Sequence, residues 1–372
     1  MEKTYLIFSF FFLATIVGCG STTDKVEIIE ISTVEDLLLL ENEVSANYVL
    51  TNDIDCGGKK FNSISNFSGT INGQGHVIKN IEFIDEKNSF GLIGNAISTV
   101  TIKNLGIENF EINANYECKD LYVGAFVGNA ENGIVLENCY SKGKINVQEK
   151  TEDNTSIGGL VGYCDGNTKI YNSFSDVDID AFHAKKNGAG DFCIGGLLGR
   201  GTRWSFIENC FFSGSLKYET ATLPYHHTVF MAGAAGLPEN IASIKNFVNL
   251  CDEITCNIDS KYIRPIYGGT YAKESMINNY YCRYKSDLDY ETSKFSFILE
   301  DSLEAIDIRK NVMASKDFLT GKCYSYNEFN EEISIPCSFS EEVWNMYDYE
   351  EGVIKYPTLK VFDLGGNYEK NN

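Results

Sequence analysis

At 372 residues with 43% apolar content, the chain is long enough for a sizeable core and too apolar for a disordered polymer. Its 52 acidic residues against 31 basic ones give a net charge of −21, which repels phosphate backbones, so no nucleic-acid partner is expected. Five prolines beside 33 glycines exclude a proline-rich stalk, and the 13% aromatic share suits strands better than helices.

In chain order, Lys3 precedes an apolar run from Tyr5 to Val17, which is short for a membrane span and suited to a signal-peptide core. The run ends in Ile16-Val17-Gly18-Cys19-Gly20-Ser21, which resembles the lipobox of bacterial lipoproteins, with Ile16 where Leu is commoner. The resemblance implies a lipoprotein signal peptide over residues 1–18 and a diacylglyceryl group on Cys19. The alternative is an ordinary secretory signal that happens to contain Cys19. No later stretch is apolar enough to span a bilayer, so the lipid at Cys19 is the expected membrane attachment. The expected location is the bacterial cell envelope, at the outer membrane or cell surface, since Gly20 lacks the aspartate that retains some lipoproteins at an inner membrane. Residues 19–30 read as a polar tether. Eleven cysteines remain, with no C-x-x-C and no zinc spacing, so neither a metal nor a cofactor is expected.

Residues 31–89 read as an N-terminal cap with leading coils. Ser32 and Thr33 ahead of Glu35, Asp36 and Leu37–Leu40 predict a short capping helix that would cover the first coil. From 90 to 290 the chain repeats itself. Glycine-rich cores end at Gly94, Gly128, Gly162, Gly199, Gly236 and Gly269, which are 34, 34, 37, 37 and 33 residues apart. Eight residues on stand Ile102, Leu136, Ile170, Ile207, Ile244 and Ile277, and ten residues on stand Asn104, Asn138, Asn172, Asn209, Asn246 and Asn279. Two columns in register across every repeat predict coils stacked at about 4.8 Å, with the aliphatic column inside. The asparagines would form a structural ladder at a bend, each amide bonding its copy in the next coil. The fold class expected is all-β, a right-handed parallel β-helix (β-solenoid).

Gly159-Leu160-Val161-Gly162 and Gly196-Leu197-Leu198-Gly199 resemble the GLUG motif of bacterial surface proteins. So do Tyr48–Asp55, Phe67–His76, and Trp344 with Tyr356-Pro357-Thr358-Leu359. The resemblance covers roughly residues 30–362 and implies an extracellular β-helical module of adhesins and some surface peptidases, with no single activity.

Asp176, Asp178 and Asp180 alternate with Val177 and Ile179 and so share one strand face. They are candidates for contact with a ligand or cation, or for the acids of a polysaccharide lyase or hydrolase; a solvated outer face is the plainer reading. His226-His227 diverge on a strand and read as a loop pair. Tyr262, Tyr267, Tyr271, Tyr280, Tyr281 and Tyr284 could stack on sugars, although Tyr280 and Tyr281 fall on packing columns. Trp204 with Arg200 and Arg203 forms a smaller candidate patch, or equally a corner packed against the next coil. Asp53 and Asp55 read as turn residues. The runs 146–156, 181–192 and 217–228 look like loops extruded from one edge, and 291–372 like a C-terminal cap. No protease or nucleotide motif is present. The expectation is a non-enzymatic, adhesin-like or structural surface protein that presents loops to a host or matrix protein or a glycan. The alternatives are a carbohydrate-active β-helix enzyme and a non-catalytic module of a surface peptidase system.

Overall fold

The computed structural model describes residues 28–40, 45–85, 88–149, 153–184, 190–221, 228–251, 253–258 and shorter stretches from 260 to 363. The expected signal peptide, Cys19 and most of the expected tether lie outside the described residues, as do His226, His227, Tyr271 and Tyr284.

Alternation makes the strands and repetition stacks them. In Thr168–Tyr171, Thr168 and Ile170 are buried while Lys169 and Tyr171 face outward. This strand pairs in parallel with Ile134–Glu137 on one side and with residues 205–208 on the other. In that register Ile71, Ile102, Leu136, Ile170, Ile207 and Ile244 form one buried column. A full coil runs through four segments, for example Thr155–Gly158, Val161–Cys164, Thr168–Tyr171 and Phe174–His183. The last three belong to one large sheet of parallel strands. The first belongs to a second parallel sheet that runs from Ser89–Phe90 to Ile263–Arg264. The chain is a β-solenoid.

The glycine-rich cores are the turns between the two sheets, and here backbone packs directly on backbone. A Cβ on Gly162 would lie 2.6 Å from the Gly128 carbonyl oxygen and 2.6 Å from the Val123 amide nitrogen of the preceding coil. One on Gly159 would collide with the Gly196 carbonyl and the Ser175 side chain. Any side chain at either position would force the coils apart, so the glycines are required by close approach. Leu160 and Val161 between them are buried in the core.

The bend before the fourth segment carries the asparagine column. Asn104, Asn138, Asn172, Asn209 and Asn246 all have φ between 45° and 53°, the left-handed region that asparagine tolerates best among residues with a side chain. The Asn138 amide donates to Asn104 Oδ1 at 3.0 Å, Asn209 to Asn172 at 3.3 Å, and Asn246 to Asn209 at 2.9 Å. Asn104 extends the run to Asn72 at 3.3 Å. Asn138 Oδ1 is buried with no partner among the described residues, so the line breaks between Asn138 and Asn172.

Asn279 does not continue the column, which corrects the sequence expectation. Met276 rather than Ile277 pairs with Ile244, and Tyr280 pairs with Val248, so the last coil has slipped by one residue. Asn279 accepts from the Phe247 backbone N–H at 3.0 Å and donates to the Ile244 carbonyl at 2.8 Å. Ser173 takes the same role in the same column, accepting from the Cys139 N–H at 3.1 Å.

At the start, Ile28–Ile31 pairs in parallel with Ser45–Leu50, and the helix Val34–Leu39 covers the head of the core with Leu37 and Leu40. Thr33 and Asp36 cap that helix reciprocally, at 3.1 and 2.9 Å. Strands extend into the expected loop runs, as far as Glu149, His183 and Thr220. The described part of 291–372 does two things. Residues 306–307 add to the large sheet beside Tyr280–Tyr281, while residues around 319, 337–346 and 356–362 lie along the outside of the coils.

Candidate binding surface

Three outward regions of the coils can meet a partner, and each is built by register. The first is the aspartate strand. Val177 and Ile179 point into the core, so Asp176, Asp178 and Asp180 point out; Asp176 is half-buried and the other two are exposed. Across the sheet they stand opposite Lys142, Lys144 and Asn146 in one neighbouring coil. In the other, Ser215 Oγ donates to Asp178 at 2.7 Å and Lys217 Nζ lies 3.5 Å from Asp180. One column alternates in sign, as Lys79, Glu108, Lys142, Asp176. Exposed pairs of this kind contribute little stability and keep the face solvated. Among the described residues no group of three His, Cys, Asp or Glu side chains is arranged to hold a metal ion.

The second region is the flank that begins just past the asparagine bend. Tyr140, Phe174 and Phe211 occupy equivalent outward positions and stack face to face, at 4.9 Å and 4° and then 4.5 Å and 7°. The C-terminal segment covers them. Trp344 packs on Phe174, Phe211 and Phe339, and Phe362 meets the Tyr140 ring edge-on at 4.6 Å. Trp344 pairs with Leu359 in a short antiparallel hairpin, which explains why Trp344 and Tyr356–Leu359 go together in the sequence. Ser338 reaches Asn246, and Val361 reaches back to Gly75, so the segment straps late coils to early ones. An open depression of about 370 Å³ lies on its outer side, beside Trp344, Asn345 and Tyr347. Burial and the Glu108 carboxylate, which accepts from Tyr140 Oη at 2.7 Å, push the Tyr140 hydroxyl well above its ordinary range.

The third region is the corner that follows each glycine turn. Equivalent corner positions hold Thr99, Gly133, Asn167, Trp204 and Asn240, inferred from the pairing of the flanking strands. Trp204 is 57% exposed and its neighbour Arg203 is exposed too. Thr202 Oγ1 donates to Asp165 at 2.6 Å, and the Asn240 amide donates to the Thr202 carbonyl at 2.8 Å. Arg200 does not belong to this exposed group. Its guanidinium is turned back to Glu239 at 2.6 and 2.9 Å and to Asn154 at 3.1 Å, beside the stacked rings of Tyr122 and Tyr163.

Of the tyrosine cluster, Tyr267 is buried against the core, with Arg264 over its ring, and Tyr262 packs on Phe230. Asp53 accepts from the Val77 N–H at 3.0 Å and faces His76 Nδ1 at 3.1 Å. The Asn80 amide and the Gly57 N–H hold the Asp55 carboxyl below the ordinary range. Asp55, Asn80 and Asn109 form a second amide column that the sequence reading missed, with Asn109 donating to Asn80 at 2.6 Å. One signal was available for what was missed: the ring at Tyr140, Phe174 and Phe211, twelve places after Gly128, Gly162 and Gly199.

Comparison with known proteins agrees with this architecture. The GLUG motif model matches residues 120–146, which span one coil from the strand of the second sheet through Asn138 to the flank. Halomucin of Haloquadratum walsbyi is 34% identical over 152 residues, covering 36% of this chain; the chain spans about 2% of that relative's length. A solved chain from Bacteroides ovatus, named a "putative immunoglobulin A1 protease", shares the fold with a TM-score of 0.53 at 17% identity, over 83% of this chain and 93% of its own.

Proposed function

We propose that the chain is a lipid-anchored β-solenoid of the cell surface, adhesin-like or structural, which binds a protein or glycan through its outward faces. One observation carries this reading. The interior of the coils is filled from Ile31 to Ile263 by stacked apolar side chains, so recognition falls to the corners, the flat faces and the loops at their edges. A lipid on Cys19 would hold the first coil at the membrane and point the remaining coils away from it.

The fold shared with the Bacteroides ovatus protein favours a second reading, a non-catalytic part in a surface peptidase system. A carbohydrate-active enzyme would need acids and bases that converge within hydrogen-bond reach, and Asp178 and Asp180 are each engaged with a neighbouring coil.

The test is made in a bacterial host with the full chain and its Cys19→Ser variant. Labelled palmitate should enter only the wild type, and only the wild type should stay with the membrane and be cut by protease added to whole cells. Equal membrane retention of both forms would remove the anchor from the proposal. The purified chain is then placed on arrays of matrix proteins and glycans. Turnover of an acidic polysaccharide or of immunoglobulin A1, with nothing retained on either array, would give the reading to its rivals.

A further inference from the structure

We infer that the corner around Trp204 is a subsite for one ring of a neutral glycan. The inference rests on the binding reading above and names the ligand class of one corner.

The first argument is that the fold does not need this indole. Trp204 stands where the other coils place Thr99, Gly133, Asn167 and Asn240, the small or polar residues that a corner favours. Nothing covers it. The chain has two tryptophans, and Trp344 shows what the fold does with an indole it uses: it leaves 1% exposed, against 57% for Trp204.

The second argument is what surrounds the ring. Exposed Asn167 and Asn240 occupy the equivalent positions one coil to either side, about 4.8 Å away by strand spacing. Arg203 and Asp165 are exposed beside them, and Asp165 is held by Thr202. The result is one flat apolar face bordered by amide, carboxylate and guanidinium groups. A pyranose presents the complementary arrangement, an apolar C–H face with hydroxyls around its rim that both donate and accept. A protein hot spot differs, because it gathers several apolar anchors and shields them from water, and this corner offers a single ring in a polar border. Charge selects among sugars. Asp165 offsets Arg203 at the corner, Glu239 is paired with Arg200, and the net charge of −21 over the whole chain disfavours uronic acids and sulfated chains.

The experiment uses the full chain and its Trp204→Ala variant, with circular dichroism to show that both are folded. Acrylamide quenches exposed indoles, so quenching in the wild type reports Trp204 against the buried Trp344. Maltohexaose, cellohexaose and mannohexaose are titrated, with a hexamer of galacturonic acid as the charged counterpart. At least one neutral hexamer should protect Trp204 from acrylamide, the acidic hexamer should not, and Trp204→Ala should weaken binding of that neutral hexamer about tenfold or more. Binding of equal strength by the variant would overturn the inference and leave the binding reading intact. So would matrix-protein binding that depends on Trp204 while no sugar protects it. If neither sugar nor protein binds either form, the binding reading falls as well.

Discussion

The flank under Trp344 and the corner around Trp204 are built by the same coils, and they treat aromatic side chains in opposite ways. On the flank, Tyr140, Phe174 and Phe211 make an apolar column on an outward face, and the chain covers it with its own C-terminal segment. At the corner it leaves one indole bare. The difference teaches that outward apolar surface in this solenoid is covered where the fold depends on it, and that the uncovered residue is the better guide to a partner. The two regions are also supported differently. The flank is held by rings, whereas the corner follows turns in which backbone touches backbone at Gly162 and Gly199.

Trp344→Ala breaks the comparison most severely. It empties a buried site among Phe174, Phe211 and Phe339 and should cost about 3–5 kcal/mol in denaturant unfolding, with the hydrophobic dye ANS binding the uncovered flank. A change below about 1 kcal/mol would mean that the strap is not a packed part of the fold. Gly162→Ala attacks the support on the corner side. Its methyl group meets only backbone, which gives way least, so a loss of about 1–3 kcal/mol is expected.

Asn209 stands between the two regions, at the bend that separates the Trp204 corner from Phe211. Asn209→Ala puts an ordinary residue at φ 53° and removes the amide between Asn172 and Asn246, at a cost of about 1–2 kcal/mol. Asn209→Gly relieves the backbone and loses only the amide. If glycine is as damaging as alanine, the amide line matters more than the backbone geometry.

The buried thiols sharpen the comparison further. Burial pushes Cys139 and Cys210, in the column just inside the flank, up to about 12. They stay protonated when folded, so maleimide should label them at neutral pH only after unfolding. Their folded values lie above the ordinary thiol value. Their contribution to stability is therefore complete below pH 9 and lost as pH rises from there towards 12. Stability should fall over that window in the wild type, and less in a Cys139→Ala, Cys210→Ala double variant. The smallest effect is expected at the bare corner, where Trp204→Ala should change unfolding by no more than about 0.5 kcal/mol. A larger loss would make that indole part of the fold after all.

Much of this architecture was legible in the sequence because stacking imposes a fixed distance. A coil that must return to the same place carries its glycine turn, its inward aliphatic and its left-handed asparagine at constant separations, and those separations run unbroken from Gly94 to Asn246. The register failed at Asn279 because Met276 and Ile277 are both apolar and either can stand opposite Ile244, so pattern alone does not choose between them. The strap was not legible because it belongs to no period. Its partners did leave a trace. Cys139–Tyr140 and Cys210–Phe211 are adjacent apolar residues at the start of the fourth segment, which signals burial on both faces. The Trp204 patch was visible as a candidate, but Arg200 beside it in sequence turns away, because a strand sends Arg200 towards Glu239 while the corner turns Arg203 outward.

The strap has one more consequence, for how the molecule comes apart. A plain stack holds each unit only to its nearest neighbours, so it can fray from either end and melt in stages. Here one segment grips both Asn246 and the backbone near Gly75, which belong to units far apart in the stack. Loosening an end unit then means breaking a clamp that also holds units on the opposite side of the middle. The array should melt as a single block, in one steep transition, and divide into stages once the clamp is cut.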